Sequence, residues 1–296
     1  MDPIRTLVEQ DEELVESLLP ADLRTQYGGD LRFPSAAAER LYVAANFVST
    51  LDGVVSYDIP GQSGGAQISG GNEGDRFIMG LLRGSADAVL VGSGTVDAVS
   101  PMHLWIAEFV YPMATVAYAY YRQEVLKKPP HPLIAIISGR GRLDLNRSVF
   151  HTSGIEVLII TSGVGRYRLL RSGADRLPST QIIELPAVDG KIHPHAIASL
   201  LGNEFGVKLL LHEGGPALFG SFVAAGLVDE LFLTVAPQIA GRSPGDQRPG
   251  LVANAKFDPS TAPWLSLVTA KQQASHLYLR YRKIESQAGN AATLAA

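Results

Sequence analysis

Cysteine is absent from the 296-residue chain, and its absence excludes several kinds of chemistry. A chain without thiols forms no disulfide, no thiolate metal site and no cysteine nucleophile. It also lacks the Pro-Cys-x-x-Cys motif that zinc-dependent nucleobase deaminases need. His193 and His195 flank Pro194 with no third metal ligand in view. This pair indicates the start of a helix, and we expect no metal site.

Long apolar runs are missing as well. None approaches the roughly 20 residues that a membrane-spanning helix needs, and residues 1–10 are too charged for a signal peptide. The net charge of −4 and the pI of about 6.0 indicate no basic face, so nucleic acid is not an expected partner. With 46% hydrophobic and 18% charged residues, the chain is expected to be a globular cytoplasmic protein without membrane contact.

A short apolar run, a glycine turn and a helix start follow one another near residue 210. The run 209–211 indicates a buried parallel strand, which Glu213, Gly214 and Gly215 then break. Pro216 suits the first turn of the helix that we predict over 217–225. The free backbone N–H groups at such a helix start can bind phosphate. The alternative is a tight turn that binds nothing.

A second glycine turn has the same design. The apolar run 88–91 enters Gly92-Ser93-Gly94-Thr95-Val96, where glycine lets a ligand approach the backbone closely. The pattern is not the usual dinucleotide fingerprint, because Asp97 stands where the third glycine belongs, and no Gly-Lys-Ser/Thr makes it a P-loop. Two glycine turns at the ends of parallel strands indicate a ligand with two phosphates.

Strands and helices alternate between residues 41 and 284, so we expect one α/β domain with a mainly parallel sheet and helices on both faces. Strands are predicted over 41–47, 88–91, 133–137, 157–160, 182–185, 209–211, 230–236, 265–270 and 276–282, the last two as an antiparallel hairpin. Helices are predicted over 75–83, 114–128, 194–205 and 217–225, with a further basic helix after Ser162.

The flanks and one glycine-rich segment have weaker patterns. Residues 1–40 are predicted to form an acidic arm, with a helix over 11–19 that Pro20 ends. Residues 285–296 are predicted to be a disordered tail. The segment 61–74 holds six glycines and few apolar residues. It predicts a loop, either mobile over a site or simply disordered.

Several of these segments, in their order along residues 41–283, resemble a known family. The matching pieces are Asn46-Phe47-Val48-Ser49-Thr50-Leu51-Asp52-Gly53, Leu81-Leu82-Arg83 with Asp87-Ala88-Val89-Leu90-Val91-Gly92, Gly94-Thr95-Val96, Glu213-Gly214-Gly215-Pro216, and Leu227-Val228-Asp229-Glu230-Leu231 leading to Pro237 and Gly241. They are similar to the reductase domain of the bacterial riboflavin-biosynthesis bifunctional deaminase/reductase, which has the dihydrofolate reductase fold. Its deaminase domain is expected to be missing, since residues 1–40 cannot replace it.

The resemblance implies NADPH as hydride donor, a heteroaromatic small-molecule substrate, and a homodimer. It also implies that Thr95 and residues 215–221 bind the cofactor, whereas Gly65, Arg83 and Glu213 contact the substrate. The implied activity is that of a riboflavin-pathway aminopyrimidine reductase, of the 5-amino-6-(5-phosphoribosylamino)uracil reductase type. The phosphate-binding role predicted for the two glycine turns agrees with NADPH as the ligand, because such turns offer N–H groups to phosphates.

The candidate site residues fall into three groups. Those predicted to bind cofactor are Gly92, Ser93, Gly94, Thr95, Val96, Ser138, Arg140, Thr161, Ser162, Gly214, Gly215, Pro216, Ala217, Leu218 and Phe219. Those predicted to line the substrate pocket are Asn46, Ser49, Gly65, Asp75, Arg83 and Glu213. Asp52 and Glu213 are the candidate catalytic acids.

Each group has a structural alternative. Asp52 in a turn is more often structural than catalytic, and Glu213 could simply cap its turn. Arg83 ends a helix, where a cation is favourable without any ligand. Arg140, Arg142 and Arg166 follow strand ends; one of them could bind a 2′-phosphate, although solvated surface charge is the better explanation for each alone.

One segment departs from the family pattern and leaves the substrate open. The family has an acidic pair, a proline and an arginine that grips the substrate's ribose phosphate, whereas residues 99–108 read Val-Ser-Pro-Met-His-Leu-Trp-Ile-Ala-Glu. An arginine–phosphate fork is therefore not expected there. Dihydrofolate or another pterin becomes the alternative substrate, and a non-catalytic NADPH-binding protein is the alternative of a different class.

Overall fold

The computed structural model describes residues 1–10, 18–34, 40–59, 63–246 and 248–284. The strands are β1 (Arg5–Glu9), β2 (Tyr42–Ser49), β3 (Ala88–Gly92), β4 (Leu133–Ile137), β5 (Val157–Thr161), β6 (Thr180–Glu184), β7 (Ala187–Val188), β8 (Lys191–Ile192), β9 (Leu209–His212), β10 (Glu230–Val235), β11 (Leu265–Gln273) and β12 (His276–Lys283). The α-helices are α1 (Ala21–Tyr27), α2 (Gly65–Ser69), α3 (Glu73–Ser85), α4 (Ser93–Ala98), α5 (Ala107–Val110), α6 (Thr115–Tyr120), α7 (Gly163–Arg171), α8 (Pro194–Ser199) and α9 (Pro216–Ala224). One π-helical turn extends α6 (Tyr121–Val125) and another extends α8 (Leu200–Glu204).

A sheet of ten strands has the order β1-β11-β12-β10-β2-β9-β3-β4-β5-β6, and β7 pairs with β8 in a separate ribbon. Every neighbouring pair from β10 to β6 is parallel, while β10, β12, β11 and β1 pair antiparallel at the other edge. This arrangement confirms the predicted α/β class, the mainly parallel sheet and the C-terminal hairpin.

Helices cover both faces of the sheet, and β3 shows why its sequence is apolar throughout. Val89 and Val91 belong to the core on one face, and Ala88 and Leu90 to the core on the other. Helix α3 contributes to the first core, whereas α8 and α9 contribute to the second. A strand buried on both faces has no polar side to alternate with. Of the helices in the described residues, none has the length and apolar character to cross a bilayer.

The glycine-rich segment differs from its prediction as a loop. Residues 65–69 form α2, and α3 begins at Glu73 rather than at residue 75 and ends at Ser85, past Gly84. Ile68 is 1% exposed and packs in a small core with Val48 and Val54, so one apolar side chain anchors the segment. Residues 60–62 lie outside the described part of the chain.

The described residues of the N-terminal arm belong to the main sheet and its core. Strand β1, which the sequence did not predict, pairs with β11, and the side chain of Lys271 on β11 is buried beneath it. Its ammonium donates to Thr6 Oγ1 (2.7 Å) and to the Gly28 carbonyl (3.0 Å), and lies 4.5 Å from the ring centroid of Tyr27. Most of the helix predicted over 11–19, and the predicted tail 285–296, lie outside the described residues. Of that predicted helix the structure describes Leu18 and Leu19, which are not helical, and Pro20 precedes α1.

Candidate active site

The pairing of the parallel strands β2 and β9 stops before the end of β2. Strand β2 pairs with β9 only over Tyr42–Ala45, and β9 then ends at His212. On its other side β2 stays paired with β10 as far as Ser49. The segments that follow β2, β9 and β3 therefore lie together at the carboxyl edge of the sheet, the usual place for a ligand cleft in an open α/β fold, and we call this region the cleft.

The two predicted glycine turns meet at this cleft. A Cβ added to Gly214 would lie 3.4 Å from the backbone nitrogen of Gly92, and one added to Gly215 would lie 3.2 Å from Oγ1 of Thr95. Leu218, on the first turn of α9, would be 3.8 Å from a Cβ on Gly92. The backbones of Gly92 and Gly215 are in the extended region that any residue adopts, so a side chain at these two positions is limited by the available space and not by backbone conformation.

Helix α9 begins without a side-chain cap. Gly215 precedes it and Pro216 occupies its first turn, and no side chain accepts a hydrogen bond from its first amides. Phe219 N–H already donates to the Gly215 carbonyl (3.0 Å). The amides of Ala217 and Leu218 are thus the groups that an anionic ligand would meet first.

Glu213 and Arg83, both predicted to contact substrate, form a buried ion pair. Arg83 donates from Nε to both carboxylate oxygens (3.1 and 3.2 Å) and from Nη2 to Oε2 (2.8 Å), and the two side chains are 2% and 8% exposed. The Nη1 group donates to the carbonyls of Leu104 and Ile106, and Nη2 lies 3.4 Å from His103 Nε2. Arg83 therefore orients Glu213 and holds the 103–106 segment, and all three of its nitrogens are occupied.

Asp75 is a second buried acid near this pair. It lies at the start of α3, where its side chain hydrogen-bonds Thr234 and Ser69. Burial raises its pKa, and the negative charge of Glu213 adds to the rise, while the two hydroxyls and His276 act in the opposite direction. Of the predicted site acids, Asp75 is the one whose surroundings favour the protonated form.

The remaining substrate-pocket predictions gather around the end of β2. Asn46 is half-buried and lines, with Thr234 and Tyr278, an internal cavity of about 10 Å³, room for about one water molecule. Ser49 is buried at the last position of β2. A Cβ on Gly65 would lie 3.0 Å from Val48, so α2 packs directly on the end of this strand.

Asp52 joins two segments at the edge of the cleft. Its carboxylate accepts hydrogen bonds from Thr50 Oγ1 (2.6 Å) and from the amides of Ala240 (3.0 Å) and Gly241 (2.7 Å). These contacts, with the Thr50 hydroxyl first, hold the pKa of Asp52 far below its usual range. The side chain is an exposed anion that connects the turn after β2 to the segment after β10. This contact corresponds to the structural role that the sequence offered as the alternative to a catalytic one.

The three predicted cofactor hydroxyls beyond β4 and β5 are engaged with backbone. Ser138 donates to the Arg142 carbonyl (3.3 Å), Thr161 to the Ser138 carbonyl (2.7 Å), and Ser162 to the Gly139 carbonyl (2.6 Å). All three are buried, and Ser162 also caps α7. Their hydroxyls shape the adjoining turns instead of facing the cleft with a free donor.

The arginines around these turns are at the surface. Arg140, Arg142 and Arg166 are exposed, and Arg168 donates to the Arg140 carbonyl. Their guanidinium groups can reach outward without breaking the buried hydroxyl contacts.

His193 and His195 lie at the start of a helix, as predicted. Nδ1 of His193 accepts a hydrogen bond from the His195 amide at the first turn of α8.

Two histidines at the site were missed by the sequence predictions. Burial lowers the pKa of His103 to about 3, and the Arg83 charge adds to this effect, so the imidazole is neutral. Its ring lies edge-on to the buried Trp105 (4.8 Å) and to the partly exposed Phe109 (5.0 Å). The other is His212, whose only sequence signal was a polar residue closing an apolar run.

Comparison with known proteins agrees with this fold and motif order. The chain is 27% identical over 206 residues to the 2,5-diamino-6-ribosylamino-4(3H)-pyrimidinone 5′-phosphate reductase of Archaeoglobus fulgidus, covering 68% of this chain and 83% of that one. A pyrimidine reductase-like protein of Corynebacterium diphtheriae has a similar fold (TM-score 0.65, 21% identity, 89% and 99% covered). So does a riboflavin biosynthesis reductase of Saccharomyces cerevisiae (TM-score 0.53, 13% identity, 86% and 93% covered). A family model described as the RibD C-terminal domain matches residues 41–270, and the chain belongs to that family.

Proposed function

We propose that this protein is an NADPH-dependent reductase of a riboflavin-pathway aminopyrimidine. Family membership supports reduction as the reaction class, and the Archaeoglobus relative is named for such a substrate. The observation that carries the proposal is the meeting of the two glycine turns at the ends of the neighbouring strands β3 and β9, where Gly215 and Thr95 are in near contact. A side chain at Gly215 would fill the space between the two turns. Without one, this space, which we call the cradle, can admit a ligand that contacts the backbone directly.

The cofactor fits the residues of the two turns. Residues 92–96 and 214–219 would hold its phosphates through backbone amides and the Thr95 hydroxyl, with the start of α9 favouring negative charge. Bound there, NADPH supplies a hydride to an electrophilic carbon of the substrate. The chain's own part is to place the substrate beside the nicotinamide and to exclude water from the cleft.

The three acidic residues of the site would have different roles in substrate binding, proton transfer and structure. Glu213, held by Arg83, would accept hydrogen bonds from the amino and amide edge of a pyrimidine, with Asn46 beside it. Arg83 would act through Glu213 because its donors are occupied. Asp75, whose pKa is raised by burial, would be the proton source, while Asp52 would keep the turn after β2 in place.

A pterin substrate is the second candidate, and the absence of arginine and lysine from residues 99–108 favours it. His103 in this segment is neutral, and Arg83 has no donor left for a phosphate. A substrate without a ribose phosphate would lose less in this site than in a site built around an arginine fork. We further propose a cytoplasmic homodimer, by analogy with the family.

The test is a turnover assay that follows NADPH oxidation with three substrates: the phosphoribosyl-aminopyrimidine, its dephosphorylated form, and dihydrofolate. We expect turnover of the first two at similar kcat/KM and a detectable rate with the third. A strict requirement for the 5′-phosphate with no pterin reduction would remove the second candidate. NADPH binding without turnover of any of them would favour a non-catalytic binding protein, and absence of NADPH binding would overturn the proposal.

A further inference from the structure

The side chain of His212 lies buried directly under one of the glycine turns. It is the last residue of β9 and is 0% exposed. Its ring is 5.0 Å from Phe222 and 5.5 Å from Phe219, edge-on to both, and 6.3 Å from Phe47 in a stacked arrangement. An apolar residue would fill this aromatic box without burying two polar nitrogens.

One of these nitrogens binds the turn. The Gly214 amide donates to His212 Nδ1 over 3.3 Å, so Nδ1 is the unprotonated nitrogen of the ring. Burial lowers the pKa of His212 to about 3, although its own backbone and that of Leu218 act in the opposite direction, and the imidazole is therefore neutral near pH 7. The proton sits on Nε2, which is buried without a hydrogen bond of ordinary geometry.

The turn rests on this ring. A Cβ added to Gly214 would lie 3.0 Å from His212 Cε1 and 2.9 Å from Leu218, so the Gly214 backbone is pressed between the imidazole and α9. The Glu213 amide is tied to the Leu90 carbonyl (2.9 Å) and the Gly214 amide to His212. With two successive amides fixed inward, the next ones along the chain, at Gly215, Ala217 and Leu218, are those that remain for a ligand.

We propose that His212 is a positioning residue for the cofactor: its Nδ1 holds the Gly214 amide inward and so presents the Gly215 end of the turn to the cofactor's phosphate. This inference rests on the proposed function and deepens it, because it names the residue that gives the binding turn its conformation. An ordinary core residue would contribute only volume. The hydrogen bond also fixes the orientation of the Gly214 amide, and this requires an acceptor at the Nδ1 position.

Two substitutions separate the two roles because they change volume and acceptor in opposite ways. His212→Leu keeps most of the apolar packing and removes the acceptor. His212→Asn keeps an acceptor near Nδ1 and loses the ring. Phe222→Leu is the control, since Phe222 packs edge-on against the same ring and its side chain has no hydrogen-bond acceptor for the turn.

We expect His212→Leu to raise the Kd and KM for NADPH about fivefold to tenfold, the loss of roughly one hydrogen bond, with kcat at saturating NADPH nearly unchanged. His212→Asn should unfold at a lower temperature than His212→Leu and yet bind NADPH more tightly. Phe222→Leu should lower the unfolding temperature and leave the Kd unchanged. If affinity follows thermal stability across all three variants, His212 is only a core residue and the proposal is overturned.

The wild-type protein gives a readout that needs neither variant nor activity. Two-dimensional ¹⁵N NMR of labelled histidine should show His212 with Nδ1 unprotonated and Nε2 protonated near pH 7, and the Gly214 amide should exchange slowly. A protonated Nδ1, or a Gly214 amide exchanging as fast in wild type as in His212→Leu, would refute the inference. Failure of the wild type to bind NADPH would instead refute the proposed function, whatever the tautomer of His212.

Discussion

Gly215 is the position where one added side chain should abolish cofactor binding with little effect on the fold. Its φ of −61° and ψ of 167° are accessible to valine, and they suit a residue that precedes proline, which is confined to extended backbone. The nearest atom to an added Cβ is Thr95 Oγ1, at 3.2 Å, on a side chain that can rotate. Gly215→Val therefore fills the cradle between the turns while leaving both backbones in place.

The expected magnitude follows from the contacts that the added methyl groups displace. A hydrogen bond from a backbone amide to a charged phosphate contributes about 1.5–3 kcal/mol, which corresponds to a roughly 10- to 150-fold increase in Kd for each bond lost. Gly215→Ala, which adds only the Cβ, should give a smaller increase. The free energy of unfolding should change by less than about 1 kcal/mol, because no apolar core is disturbed.

Isothermal titration calorimetry with NADPH and urea unfolding of the same samples measure the two quantities. Gly202→Ala is the matched control, since it adds a Cβ in ordinary contact, 3.5 Å from Leu41, in the π-helical turn after α8 and in neither glycine turn. It should bind NADPH like the wild type. An unchanged NADPH affinity in folded Gly215→Val would refute the assignment of this turn to the cofactor, and with it the reasoning from the meeting of the two turns.

Three further predictions concern charges. Arg83→Met should destabilise the protein by about 3–5 kcal/mol in urea unfolding, because it leaves the Glu213 carboxylate buried without its partner. The double variant Arg83→Met with Glu213→Gln should recover part of the lost free energy of unfolding. An equal loss in the single and the double variant would contradict the ion-pair argument. Burial raises the folded-state pKa of Asp75, so its stabilising effect is present below the unfolded pKa of about 4 and is lost as pH rises through the folded pKa. The stability of wild type relative to Asp75→Asn should therefore fall as the pH rises from about 4, the unfolded pKa, through the raised folded-state pKa; a constant difference in urea midpoints would show that the Asp75 pKa is not perturbed. The third prediction concerns the three exposed arginines beyond β4 and β5, Arg140, Arg142 and Arg166. Neutralising each in turn should reduce the preference for NADPH over NADH about tenfold or more in one variant, through loss of a 2′-phosphate contact. If the preference changes in none of them, another residue binds the 2′-phosphate.

The parallel half of the fold was predictable because its signals are local. Strands β3 and β9 are continuous apolar runs ended by glycine, and both properties can be read within ten residues. Strand β1 was missed because Arg5–Glu9 alternates between exposed and half-buried positions without a single fully buried side chain. Such an edge strand is defined by its partner β11 at the far end of the chain, which no local pattern reveals.

The site was predictable in its backbone and less so in its side chains. The meeting of the glycine turns follows from the carboxyl ends of neighbouring strands lying at one edge of a sheet. Arg83 and Glu213 were both placed at the site, but their pairing occurs across 130 positions of sequence and uses the donors that a substrate would have needed. Hydroxyl groups such as that of Thr161 bond equally well to a ligand or to a backbone carbonyl, and only the folded geometry decides between them.

The pairing of β1 with β11 has a consequence for how the chain folds during synthesis. Strand β1 is synthesised long before β11, and it lacks this hydrogen-bonding partner until β11 has been made. Until then β10 is an open edge, and Glu230 upon it, 0% exposed in the finished protein, lacks Arg280 and Arg282, which later neutralise it. Pairing over so long a sequence separation is slow. A chain interrupted before Leu265 should therefore be found bound to chaperones or aggregated, even though every strand of the parallel half has already been made.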